Sequence, residues 1–114
     1  MAKLADHIRH KAVAAVQILN QHGSVRAAYV FGSQVDGQPD QWSDIDVAAF
    51  MDGIETWGIE QRAESMMRVQ REVGMDVEAH LFPVSTLHTT DTASFASYMQ
   101  RHGVCIFNRE RPVE

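Results

Sequence analysis

Two apolar runs separated by a loop, the second carrying two acids, constrain this chain more than any other feature. Val25 to Phe31 is short, apolar and rich in β-formers, which predicts a buried strand. Gly32 to Gln41 holds Gly32, Gly37 and Pro39 and is expected to run as loop. Ser43 to Met51 returns to strand, with Ile45, Val47 and Ala49 alternating against Asp44 and Asp46. Acids two apart on a strand share a face. Two like charges held that close repel unless something cationic lies between them. Hard divalent cations with oxygen ligands answer that need, Mg²⁺ above all where phosphates complete the ligand set.

The flanking segments supply helices. Leu4, Ile8, Ala12, Ala15 and Leu19 recur at steps of three and four, predicting an amphipathic helix over 3–22 with Gly23 as its stop. A second helix is expected from about Thr56 to Val73, carried by Ile59, Ala63, Met66 and Val73 and ended at Gly74. Met75 to Phe82 reads as a third strand, with Asp76, Glu78 and His80 on one face and Met75, Val77 and Ala79 on the other. Asp91 or a neighbouring Thr is expected to cap a short helix through His102, with Phe95, Tyr98 and Met99 as its apolar face. Val104 to Phe107 closes the series as a last strand. Strands alternating with helices of these lengths predict an α/β (α+β) fold, a small mixed β-sheet covered by helices, mainly on one side. With 114 residues the expectation is one domain spanning 1–114.

Composition narrows the partners. The formal net charge is -5, and the 10 Lys and Arg residues are spread along the chain, which argues against a gripped nucleic-acid duplex. An acidic protein handles nucleotides where metal ions screen the phosphates. No apolar run approaches the roughly 18 residues of a membrane span. The amino terminus lacks an apolar signal core, so a cytoplasmic location is expected. Cys105 is the one cysteine, within Val104-Cys105-Ile106-Phe107, and is expected to be a small core residue.

The chemistry concentrates around the loop. After Phe31, Gly32 lets backbone approach a ligand closely, and the Ser33 hydroxyl can donate to a phosphate oxygen. The turn at Gly37 offers N–H groups that can form an anion-binding concavity. Asp44 and Asp46 follow after a spacer of ten residues from Ser33. The third strand adds a further carboxylate, from Asp76 or Glu78. Three carboxylates on adjacent strands can hold two metal ions about 3.5–4 Å apart, an arrangement suited to phosphoryl-type transfer.

Gly32-Ser33, the ten-residue spacer and Asp44-Ile45-Asp46 resemble the pattern of the polymerase β-like nucleotidyltransferases, over roughly residues 25 to 107. The compact chain is similar to the minimal nucleotidyltransferases, many of which are antitoxin partners of HEPN-domain ribonucleases. The resemblance implies a polymerase β-like fold, a nucleoside triphosphate (ATP or another NTP) as donor, two Mg²⁺ ions, and transfer of a nucleotidyl group, adenylyl foremost, to a hydroxyl. It places Gly32 and Ser33 on the triphosphate, with Gly37 and Ser43 expected alongside. It assigns Asp44, Asp46 and Glu78 to the metals, Glu78 also orienting the acceptor. Glu78, nearer the middle of its strand than Asp76, is the expected third carboxylate. The implied partner is a HEPN-type protein or another copy of the chain. A subunit that merely masks its partner sterically is the competing expectation.

Two further residues bear on this. His80 shares the face of Glu78 and is expected to be a solvent-facing or hydrogen-bonded strand histidine, with contact to nucleotide or acceptor as the alternative. Gln34 stands where similar proteins commonly carry a basic residue, and no Lys or Arg occurs between Arg26 and Arg62. If a missing cation limits triphosphate affinity, Gln34→Arg tightens ATP binding by about 1–2 kcal/mol in calorimetric titration. Unchanged affinity would show that position 34 points away from the phosphates, or that a partner already supplies the charge.

Overall fold

The computed structural model describes residues 4–32, 44–88 and 94–110. In chain order, helix α1 (Asp6–His22) leads into strand β1 (Ser24–Phe31), and strand β2 (Ile45–Asp52) follows. A 3₁₀ turn at Ile54–Thr56 then precedes helix α2 (Ile59–Glu72) and strand β3 (Val77–Pro83). A second 3₁₀ turn, Val84–His88, comes before helix α3 (Phe95–His102) and strand β4 (Val104–Asn108). The strands form one sheet in the order β3-β2-β1-β4. β1 runs antiparallel to both β2 and β4, while β2 and β3 are parallel, so the sheet is mixed, as expected.

Strand alternation divides the sheet into two unlike faces. Ile45, Val47, Ala49 and Met51 of β2, with Val77 and Ala79 of β3 and Ala28 and Val30 of β1, face α1 and α2 in the main core. From α1 this core takes Ile8, Ala12, Ala15, Val16, Ile18 and Leu19, a stripe at helical spacing. The opposite face is smaller and aromatic. Ala48 and Phe50 pack there with Ala96 and Met99 of α3, and Tyr29, Phe31, Phe82 and Leu87 lie around them. The sheet is thus covered on both sides, one more thinly than the other.

Several local expectations are corrected. In α2 the fully buried residues are Ser65 and Val69, while Ile59 is 83% exposed and Ala63 faces solvent. Met66 and Val73 keep the expected contact with the core. Burying Ser65 costs little, because its hydroxyl donates to the Arg62 carbonyl within the helix at 2.9 Å. β3 begins at Val77, not Met75, whose side chain is 76% exposed. α3 is capped by Ser94, whose hydroxyl oxygen accepts the Ser97 amide at 3.1 Å, while Asp91 lies outside the described residues. Cys105 is half-buried rather than fully internal, and burial pushes its thiol pKa up. No helix among the described residues is long and apolar enough to cross a membrane.

Turns are tied by side chains. The Asn20 carboxamide oxygen accepts the Val25 amide at 2.8 Å, closing the α1–β1 corner. Arg26 donates to Asp52 and to Glu110, which joins β1 to the ends of its two neighbours. The different fates of the two apolar helix residues give a test. Leu19→Ala, at a fully buried site, costs about 2–5 kcal/mol in urea denaturation. Ile59→Ala stays within about 0.5 kcal/mol of the parent, and a loss comparable to that of Leu19→Ala would mean that α2 is rotated.

Candidate active site

β1 delivers the first element of the site. After Phe31 the chain turns at Gly32 with φ of 85°, a left-handed conformation that side-chain-bearing residues rarely adopt. Phe31 pairs directly with Asp46 across the antiparallel β1–β2 ladder. The turn therefore brings the backbone of Gly32 against the Asp46 carboxylate. A Cβ at position 32 would sit 2.8 Å from Asp46 Oδ2. Glycine is required here twice over, by backbone conformation and by space.

The second element comes from the parallel pair. The Asp76 carbonyl accepts the Ile45 amide at 2.7 Å, and from this bond the register runs Ile45–Val77, Asp46–Glu78, Val47–Ala79 and Ala48–His80. Neighbouring strands lie about 4.8 Å apart, so Asp46 and Glu78 stand side by side on the aromatic face. His80 lies one pleat along that face, with Nε2 3.1 Å from Asp46 Oδ1. As the Nε2–H tautomer it donates to that oxygen. The Phe31 ring meets the imidazole at a centroid distance of 5.3 Å and steadies its plane. One ligand atom from each of Asp46, Glu78 and His80 falls within 4.8 Å of the others. The side chains of Asp46 and His80 are 25% and 34% exposed, and Glu78 is exposed, so the group is open to incoming ions.

The expected residues fall as follows. Gly32, Asp46 and Glu78 come together. Asp44 is exposed, immediately before β2, and lies outside the group formed with His80. Asp76, the alternative third carboxylate, is not on the face of Glu78. It lies in the turn before β3, where both its oxygens accept from Lys11 Nζ of α1, at 3.0 and 2.8 Å. Ser33, Gln34, Gly37 and Ser43 lie outside the described residues. His80 is the hydrogen-bonded strand histidine expected, but its partner is the acid at the centre of the site; parity with Glu78 was the only signal for that. Arg62 shares with His80 a shallow hollow of about 280 Å³ along β3. Nothing in the linear pattern indicated that proximity.

Asp46 and Glu78 offer hard oxygen donors on adjacent strands, and His80 adds a nitrogen. That set fits a divalent cation. Because Gly32 holds its conformation and its clearance together, Gly32→Ala is expected to cost about 1–3 kcal/mol in chemical denaturation. The same change displaces the Asp46 carboxylate and weakens Mn²⁺ binding, read by electron paramagnetic resonance. A variant with unaltered stability and Mn²⁺ affinity would contradict the described turn.

Comparison with known proteins agrees with the fold. The family model described as polymerase beta, nucleotidyltransferase, matches residues 14–112. Among solved structures, the chain is similar to a Sulfolobus solfataricus protein provisionally assigned as a nucleotidyltransferase, known at 1.40 Å resolution. The two share 16% sequence identity with a TM-score of 0.51, over 96% of this chain and 95% of the other. At that identity the likeness speaks to the fold alone. None of the curated proteins gives a match.

Proposed function

Since the chain belongs to the polymerase β nucleotidyltransferase family, we propose that it transfers a nucleotidyl group, AMP foremost, from a nucleoside triphosphate to a hydroxyl acceptor, with Mg²⁺ as the metal. The observation that carries this is the placement of Glu78 directly beside Asp46, with the Gly32 turn held against the same carboxylate. Asp46 and Glu78 would hold the metal, with Asp44 joining them as the chain enters β2. A bound divalent cation there supplies neutralisation of triphosphate charge and Lewis-acid polarisation of its oxygens.

This chain's own residues orient the reactants. The acceptor hydroxyl oxygen bonds to the α-phosphorus as the bond from that phosphorus to the pyrophosphate oxygen breaks. The hydroxyl proton passes to a carboxylate, Glu78 being the more exposed and the better placed to receive it. His80, bonded to Asp46, fixes the orientation of that carboxylate. In this reading the backbone at Gly32 and the following Ser33 receive the triphosphate.

The exposure of the carboxylates favours a macromolecular acceptor. Positioning contributes much of the rate in such transfers, and an open site leaves water to compete for the same phosphorus. A protein docking over the aromatic face supplies orientation and closure together. A HEPN-type partner neutralised by adenylylation fits that requirement, and a second copy of the chain is the other candidate. The absence of Lys and Arg between Arg26 and Arg62 favours a second reading, a domain that masks its partner without chemistry.

Intact-mass measurement separates the two. With Mg²⁺ and ATP, the partner is expected to gain the mass of AMP less water for each group transferred. Asp46→Asn and Glu78→Gln each lower that yield by at least about a hundredfold, within the span that acid–base and electrostatic groups contribute. A partner bound tightly yet never increased in mass would establish the masking role instead.

A further inference from the structure

α2 covers the sheet with one flank and leaves a second, apolar flank bare. Ser65 and Val69 are its buried residues. Ile59, Ala63 and Met67 recur at steps of four, which sets them one above another along the helix. All three are exposed, Ile59 by 83% and Met67 by 61%. Scattered exposed apolar residues are ordinary, but three in line make a stripe. The stripe borders Met66, which lines the hollow along β3, an outer strand of the sheet. We infer that this stripe is a contact between two copies of the chain, with their α2 helices packed antiparallel.

Shape along the stripe fits a second copy. A two-fold axis near residue 65 sets position 63 of one helix against position 67 of the other, and position 60 beside position 71. Met67 then fills the space left by the small Ala63 of the other copy, once on each side of the axis.

Charge fixes the direction. Glu60 and Arg71 are eleven residues apart, about three helical turns, so both border the stripe on the same side. The axis brings each Glu60 opposite the other copy's Arg71. Both residues are exposed, and neither enters an ion pair among the described residues, whereas Arg68 and Glu72 pair within the helix. A parallel pairing would set Ile59 on Ile59 and leave these four charges unmatched. Asp46 and Glu78 lie on the face of the sheet turned away from α2, so the antiparallel pairing leaves both candidate sites open. The contact therefore stands whether or not the chain transfers nucleotides.

The contact is one helix wide on each copy, at the small end of specific interfaces, and calls for chain concentrations of about 0.1–1 mM. Denaturation at a few micromolar reads the single chain. Sedimentation equilibrium over the higher range is the test. The parent is expected to move from the mass of one chain toward that of two. Glu60→Arg and Arg71→Glu each set like charges across the axis, and each is expected to weaken self-association at least about tenfold. Mixed in equal amounts, the two variants regain the parent's association, because the mixed pair has opposite charges at both ends. Met67→Glu abolishes association while its circular dichroism matches the parent's. A parent that stays monomeric at about 1 mM, a mixture no more associated than either variant alone, or association that survives Met67→Glu overturns the contact. Association lost instead in Phe95→Ala places the interface on the aromatic face and overturns the α2 assignment equally.

Discussion

The site depends on the register of one parallel strand pair. β2 is the inner strand that β1 and β3 both hold, and its inward residues are fully buried, so it cannot slide without exposing the core. β3 is placed against it by the bond from the Ile45 amide to the Asp76 carbonyl. A slip of one residue would turn Glu78 into the core and Val77 outward. Burial of Val77 and Ala79 thereby holds an acid beside Asp46, although the two carboxylates repel. The cost of keeping them together is met by the apolar packing on the other side of the sheet and moderated by His80.

Much of this was legible in the linear pattern, for a definite reason. The entry to β2 sets Asp44 and Asp46 alternately with Ile45 and Val47, and a one-residue slip there would turn an acid into the core. The α1 stripe and its stop at Gly23 were equally plain. α2 was not. Its apolar residues are sparse, with Ile59, Ala63, Met66, Met67 and Val69 on more than one side, so periodicity alone did not say which would turn inward. Packing chose the side with Val69 and a self-satisfied Ser65. Asp76 shows a different limit. Its parity matched Glu78, but parity holds only inside a strand, and Lys11, 65 positions earlier in the chain, draws it to α1.

At the site the same distinction holds. Gly32 and Asp46 were readable because a turn residue followed by acids at fixed spacing leaves few arrangements. Their direct contact depends on the antiparallel pairing of Phe31 with Asp46, which no local pattern specifies. The joining of Phe31, His80 and Phe95 is likewise a product of three separate elements meeting on one face. Tertiary assembly, not local propensity, made the aromatic wall.

The division of the sheet into two unlike faces has an evolutionary consequence. The residues of the helix-covered core and those of the candidate site hang from the same strands but alternate along them, pointing opposite ways. Substitutions at Glu78, His80 or Phe95 leave the helix-covered core untouched. Lineages descending from such a chain are free to drift in chemistry, or to lose it, while remaining soundly folded. Catalysts and inert binding relatives can then arise side by side from one scaffold, separated by a handful of changes on a single surface.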